Sequence, residues 1–399
     1  MEENDRRISK VKKIALVTCY FQHNYGSQLQ ALATQMIFDK LGIDNETIRI
    51  DGLKTEINKA KYRYFLSKIF DTNTIFDKMA TVRKVWAKKT NKKYAQNLII
   101  RDRMFSDFAN TKFKLSRRYN SKAELGKSAY EYSAFVVGSD QLWLPSNISA
   151  DYYTLSFVPD GIKKIAYATS FGVSSLPRKQ ASMAQEFLNR LDAIFVREIS
   201  GQKLIKKLIG KDVPLVCDPT LLFTSKEWNQ QIPQERRIKE EYVLCYFLGN
   251  NLEQRTFARR LADRTNSKIV QLANLDEYIK SDEEFADYPL YDVSPLNFLA
   301  LIRDAKYVLT DSFHCTVFSA LSSKPFFSFR RYKNDSVVST NSRLYSLLDT
   351  LGTPERLLTG NEKINDCLTM KIDFDTVHKK LEDLREKSIC MLKMACVGV

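Results

Sequence analysis

What the sequence lacks narrows the reading first. It has three histidines, His23, His314 and His378, and none has a second His or Cys at metal-ligand spacing, so a zinc site is not expected. Acid–base chemistry must then run on few titratable groups. The seven cysteines, at 19, 217, 245, 315, 367, 390 and 396, form no C-x-x-C pair and fall mostly in apolar runs, which argues against a disulfide framework. No window reaches the roughly 18 uninterrupted apolar residues of a membrane span, and the start, MEENDRRISKVKK, carries no adequate signal-type apolar run. A cytoplasmic location is expected. Neither G-x-G-x-x-G nor G-x-x-x-x-G-K-[ST] occurs, so dinucleotide and P-loop readings are weak. No D-x-D follows a strand as in metal-dependent sugar transferases; Asp373 and Asp375, in KIDFDT, lie beyond the β-α alternation. No metal or cofactor is expected.

What is present is enough for two cores. The chain has 399 residues, 44% of them apolar and 12% aromatic, more than one hydrophobic core usually serves. Its net charge of +15 is uneven: residues 54–122 hold 19 Lys and Arg against 5 Asp and Glu. Aromatic residues interleave this basic block, including Tyr62, Phe65, Trp86 and Phe105. Such a segment suits anionic lipid head groups, a lipid-diphosphate carrier or nucleic acid; the plain alternative is a solvated helical insertion.

Strand and helix signals alternate in two series, which predicts an α/β protein of two Rossmann-like domains with doubly wound sheets. KKIALVTCY, ETIRI, AFVVG, KIAYATS, AIFV and VPLVC read as strands of the first domain, residues 1–230, with the basic insertion at about 54–122. EYVLCYFLG, SKIVQL, KYVLTD and PFFSF read as strands of the second, residues 231–375. Residues 376–399 place Val377, Leu381, Leu384, Met391 and Leu392 near helical spacing, which predicts a helix packing back on the body. Ligands of such sheets bind outside the carboxyl ends of strands, so candidate sites belong to strand-to-helix loops.

The clearest candidate is KYVLTDSFHCTVFSAL, where a strand ends at Asp311 and His314 falls in the first turn of the next helix. The helix start suits an anion and a histidine able to exchange protons. The alternative is a turn histidine behind an ordinary N-cap at Asp311 or Ser312. Arg330, Arg331 and Lys333 follow a strand on the same rim, and Arg197 ends the strand AIFV; an arginine fork matches carboxylate or phosphate. Each is equally readable as a solvated loop or a sheet-edge cap. In the first strand-to-helix loop, Asn24, Tyr25, Ser27 and Gln28 surround Gly26, which permits close backbone approach. AFVVGSDQLWLP ends a buried strand at Gly138 and then exposes Ser139, Asp140, Gln141 and Trp143. Asp140 is suited to accept from a sugar hydroxyl and Trp143 to form a platform for a sugar ring; both are also ordinary loop capping and packing.

Taken in order, NYGSQLQA, VVGSDQLW, VREISG, CDPTLLF, TDSFHCTVFSAL and NSRLYSLLDTLG resemble the polysaccharide pyruvyl transferase family, over about residues 14–356. The resemblance implies a GT-B-like fold and transfer of an enolpyruvyl-derived group from phosphoenolpyruvate to hydroxyls of a surface polysaccharide or its lipid-linked precursor, forming a pyruvate ketal without metal or nucleotide donor. It maps a catalytic histidine onto His314 and a donor-binding arginine onto Arg197. Where some members carry a donor-binding lysine this chain has Asn334, leaving Arg331 and Lys333, with Arg330, as substitutes. Ser312 joins the donor set, and residues 24–28, 138–141 and 143 form the acceptor side. The basic segment is then expected to hold the enzyme at the inner face of the membrane, and nucleic acid is not an expected partner. Two rivals stand beside this reading: a nucleotide-sugar-dependent transferase on the same fold, and a non-catalytic polyanion-binding protein.

Overall fold

The structure is a computed structural model that describes residues 12–67, 83–273, 276–331 and 341–398, without the side chains of residues 341 and 342. Two six-stranded parallel sheets form its two lobes. In the first, β1 (Lys13–Val17), β2 (Asn45–Arg49), β3 (Leu115–Arg118), β4 (Tyr132–Val137), β5 (Lys163–Thr169) and β6 (Ala193–Val196) run in the order β3-β2-β1-β4-β5-β6. In the second, β7 (Tyr242–Tyr246), β8 (Lys268–Leu272), β9 (Tyr288–Leu290), β10 (Tyr307–Thr310), β11 (Phe326–Phe329) and β12 (Leu357–Leu358) run in the order β12-β11-β10-β7-β8-β9. Both lobes thus carry the Rossmann strand order, and together they form the two-domain α/β architecture of GT-B type.

The central strands are continuous apolar runs because helices cover both faces of a parallel sheet. Ile14 to Val17 and Val243 to Cys245 have no exposed surface. Between the lobes, Tyr25 stacks on Phe298 at 4.7 Å, meets Tyr246 edge-on at 5.5 Å and donates its hydroxyl to the Val293 carbonyl at 3.2 Å. This aromatic contact welds the first helix of one lobe (Tyr25–Lys40) to the facing lobe.

The basic segment is the crossover between β2 and β3 rather than an appendage. It forms helices Lys54–Leu66, residues 83–90 and Lys92–Lys112, then enters the sheet as β3. VPLVC is not a strand; only Leu215 makes an isolated bridge to Val196. The last helix, Phe374–Ala395, touches both lobes: His378 Nε2 lies 3.2 Å from the Ala320 carbonyl, Arg385 donates to the Leu221 carbonyl at 2.8 Å, and Ser388 Oγ accepts from the Cys217 amide at 2.9 Å. No helix among the described residues is long and apolar enough to cross a membrane.

Candidate active site

In each sheet the strand order reverses at one place, between β1 and β4 in the first and between β7 and β10 in the second. Backbone crevices open at such reversals, beyond the carboxyl ends of the strands. Here the two crevices face each other across one cleft of about 260 Å³, whose lining includes Ser27 and His314 from the first turns of the helices after β1 and β10, and Asp140 and Leu248 from the loops after β4 and β7.

Asp218, the N-cap of the short turn Pro219–Leu222 beyond the helix Ile199–Ile209 that follows β6, is the buried hub beneath this cleft. Its Oδ2 accepts from Arg197 Nη1 at 2.5 Å and Ser139 Oγ at 2.8 Å, and lies 3.5 Å from His314 Nε2. Its Oδ1 accepts from the amide and hydroxyl of Thr220, at 3.1 and 2.8 Å. Burial alone would raise its pKa, but His314 and Arg197 reverse that and hold the carboxyl far below the usual range. Asp218 is therefore a permanent anion between an arginine of its own lobe and the histidine of the other.

Asp140 is the second anion. Its backbone takes φ +83°, a left-handed conformation that Asp tolerates better than most side chains and that costs on the order of 1–3 kcal/mol when held by surrounding structure. The turn aims its carboxylate into the cleft, where it accepts from Ser27 Oγ at 2.6 Å and from its neighbour's amide, Gln141 N, at 2.8 Å. Arg197 Nη2 lies 3.4 Å from its Oδ1 and Arg343 Nη1 3.9 Å. Burial opposes ionisation, yet Arg197, His314 and Arg343 draw the pKa down to about 2.

The cations outreach these anions. Phe313 has Arg197 over its ring at 4.8 Å and Arg343 at 6.0 Å. Burial, then the neighbouring Arg197, lowers the Arg343 pKa to about 10. Arg331 and Lys61 complete the cationic lining, and burial lowers the Lys61 pKa. Among the described residues, buried donors near this centre that include Arg197 Nε, Arg343 Nε and Gln141 Nε2 make no hydrogen bond, and His314 Nε2 has only its 3.5 Å contact with Asp218. Unsatisfied buried donors are costly, which makes this cationic lining a candidate anion site.

His314 is fixed from both lobes. Ser312 caps its helix, Phe313–Leu321, by accepting from the Cys315 amide at 3.4 Å. Asp311 accepts from the Leu248 and Gly249 amides at 2.7 and 2.9 Å and lies 3.7 Å from Arg331 Nε, which ties the β7 loop to the same rim. Across the cleft, a Cβ on Gly26 would fall 2.1 Å from His314 Nδ1, so only glycine lets the ring stand there.

The other expected residues divide. Asn24 caps the first helix through the Ser27 amide and lines the cleft, as do Ser27, Gln141, Ser312 and Arg331. Arg197 lies beneath the lining with its side chain 1% exposed, its Nη groups spent on Asp218, Ser139 and Asp140. Trp143 is not the expected sugar platform: it is fully buried against Phe171 and Phe187, its Nε1 donating to the Tyr153 carbonyl. Tyr25 is spent on the interlobe contact, and Gln28 turns to the Phe105 carbonyl. Gly138 packs on Thr18 under the loop, and Ser139 points down to Asp218. Arg330 is exposed over Tyr345, 5.7 Å from its ring, outside the cleft. Lys333 lies outside the described residues. Asp218, Arg343 and Lys61 had no role assigned from sequence, although Asp218 and Arg343 sit in the quoted segments CDPTLLF and NSRLYSLLDTLG.

Among solved structures, the chain is similar to a UDP-N-acetylglucosamine 2-epimerase from Rickettsia bellii, with 11% identity, TM-score 0.44 and 96% of each chain covered. It is also similar to the glycosyltransferase SnogD from Streptomyces nogalater, with 9% identity, TM-score 0.45 and coverage of 98% of this chain and 100% of that one. MurG from Acinetobacter baumannii matches at 7% identity and TM-score 0.42, over 96% of this chain and 99% of that one. Likeness at this level carries neither substrate nor mechanism. No curated protein matches the chain. A family model described as polysaccharide pyruvyl transferase matches residues 24–333, the span that runs from the cap of the first helix through His314 to the Arg331 rim, and the chain belongs to that family.

Proposed function

We propose that this protein moves an enolpyruvyl-derived group from phosphoenolpyruvate to two hydroxyls of a saccharide, a surface polysaccharide or its lipid-linked precursor, forming a pyruvate ketal and releasing inorganic phosphate. The observation that carries the reading is one cleft lined by Arg331, Arg343, Lys61 and His314, with Arg197 directly beneath the lining and the Nε groups of Arg197 and Arg343 left without a hydrogen bond among the described residues. Phosphoenolpyruvate brings a phosphate and a carboxylate on one small molecule, and arginine forks match both. A proton delivered through His314 adds to the methylene carbon, and Asp218 stabilises the imidazolium that supplies it. C2 becomes electrophilic, and a sugar hydroxyl oriented by Asp140 bonds to it. The C2–oxygen bond to phosphorus then breaks, phosphate leaves with the electron pair, and a second hydroxyl closes the ketal. Of the two hydroxyl protons released, one balances the proton placed in the methyl group and the other leaves on phosphate.

Incubation with phosphoenolpyruvate and a panel of galactosides, glucosides and mannosides, read by mass spectrometry, tests this. A mass gain of pyruvic acid less one water, with stoichiometric phosphate, is expected. Turnover of a nucleotide sugar in place of phosphoenolpyruvate would transfer the site to the rival chemistry.

A lipid-linked acceptor also accounts for the surface of the β2–β3 crossover. Tyr62, Trp86 and Ile99 are 65, 64 and 64% exposed there, amid its cationic excess. Aromatic and aliphatic side chains among lysines suit an anionic bilayer, each nearby cation contributing about 1 kcal/mol. Replacing Lys88, Lys89, Lys92 and Lys93 by Gln should release the protein from phosphatidylglycerol vesicles in co-sedimentation; undiminished binding rejects the membrane contact.

A further inference from the structure

A second cavity, of about 350 Å³, lies between the start of the helix Lys92–Lys112 and the segment from Glu277 to Tyr291 of the facing lobe. Its chemistry is opposite to that of the cleft. Tyr94, Tyr278 and Tyr291 line it together with carboxylates, and Tyr94 meets Tyr278 edge-on at 5.1 Å. A hollow lined by carboxylates and tyrosine rings holds no arginine fork for a phosphate among the described residues, so the donor does not explain it.

Most of the carboxylates are already answered by the protein. Asp282 receives Arg255 through two nitrogens, at 2.5 and 3.0 Å. Glu277 accepts from Asn250 at 3.3 Å and lies 3.9 Å from Arg83. Glu283 Oε1 accepts from Asn91 at 2.7 Å and from the Tyr278 hydroxyl at 2.8 Å. Arg255, Arg83 and Lys93, the last in the same lining, offset most of the charge of Asp282, Glu277, Glu283 and Glu284, while the carboxylates keep lone pairs for further hydroxyl donors. Tyrosine rings beside them supply apolar surface with a polar tip. That combination fits a neutral polyhydroxylated ligand.

One loop, that following β7, reaches both the cavity and the cleft. Leu248 lines the cleft, and Asn250, two residues on, holds Glu277 of this cavity. Two residues span at most about 7 Å. We infer that the cavity is a subsite for sugar units of the acceptor remote from the hydroxyls that react, a conclusion that rests on the acceptor being a saccharide. Binding energy collected there orients the reacting end.

The test measures binding of neutral gluco-, galacto- and manno-oligosaccharides to the full chain by calorimetry, without phosphoenolpyruvate, for wild type, Tyr278→Ala and Glu283→Gln. At least one oligosaccharide should bind and weaken tenfold or more in both variants, while phosphoenolpyruvate affinity stays unchanged. Oligosaccharide binding that neither substitution alters, no oligosaccharide binding at all, or tetramethylammonium as the only ligand sensitive to both substitutions overturns the subsite. Saccharide binding lost in both variants of a protein that never turns over phosphoenolpyruvate would instead keep the subsite and reject the donor chemistry.

Discussion

His314 Nε2 stands 3.5 Å from Asp218 Oδ2, a histidine of the second lobe set against a carboxylate anchored on the first. The pair proposed to handle the proton therefore exists only while the lobes are together. Asp218→Asn keeps the shape and removes the charge that steadies the imidazolium, so phosphate release should fall by about 10²–10⁴-fold, as in His314→Ala. Because the two act as a unit, the double variant should be no slower than the worse single one. Wild-type rates in either single variant, with intact circular dichroism, would remove the pair from the mechanism.

Gly26→Ala probes the same pair from the other side. Its methyl would fall 2.1 Å from Nδ1 and 2.5 Å from Cγ of His314, and the ring has no flexible end to yield. The lobes or the ring must shift by about 1 Å, a displacement that can cost on the order of 100-fold in rate. The expected result is a large loss of kcat with a smaller change in donor KM.

Two arginines on one phenylalanine should separate in their effects. Arg197→Ala strands Asp218 and Asp140 in a buried place, at a cost of about 3–5 kcal/mol in unfolding free energy. Arg343 is pressed by burial and by Arg197, so Arg343→Ala should cost little stability while raising the donor KM at least about tenfold. Arg330→Ala, on the exposed Tyr345 contact, should change neither. Chemical denaturation and steady-state kinetics on the three variants decide it.

Acid stability follows from the buried carboxylates. Asp140 titrates at about 2 in the folded chain, against about 3.9 unfolded, and Asp218 is depressed further. A depressed folded pKa adds stability above the unfolded value, lost as pH falls through the folded one. Unfolding free energy should drop as pH is lowered from about 4 through 2, and Asp140→Asn should flatten that decline. A wild-type profile indifferent to pH there would contradict the ionised cluster.

The sheet cores were legible in the chain because parallel strands buried on both faces read as unbroken apolar runs. Short edge strands were not: LSRR of β3, YPL of β9 and LL of β12 carry too little pattern, and VPLVC has the pattern without the pairing. His314 was findable because its place, a strand end entering a helix, is local. Asp218 was not, since its partners lie at 139, 197 and 314 and meet it only after folding. Lys61 was lost among the cations around it, and Trp143 misled because an aromatic after a strand end looks the same whether it faces ligand or core.

The terminal helix sets how the molecule can move. Its first turns hold the second lobe through His378, and its later turns hold the first through Arg385 and through Ser388, which accepts from the amide of Cys217, the residue before Asp218. A brace fastened at both ends permits tilting about itself but not wide separation. Under the proposed transfer, such a brace favours a shallow rocking of the halves over wide opening, with the strut as pivot.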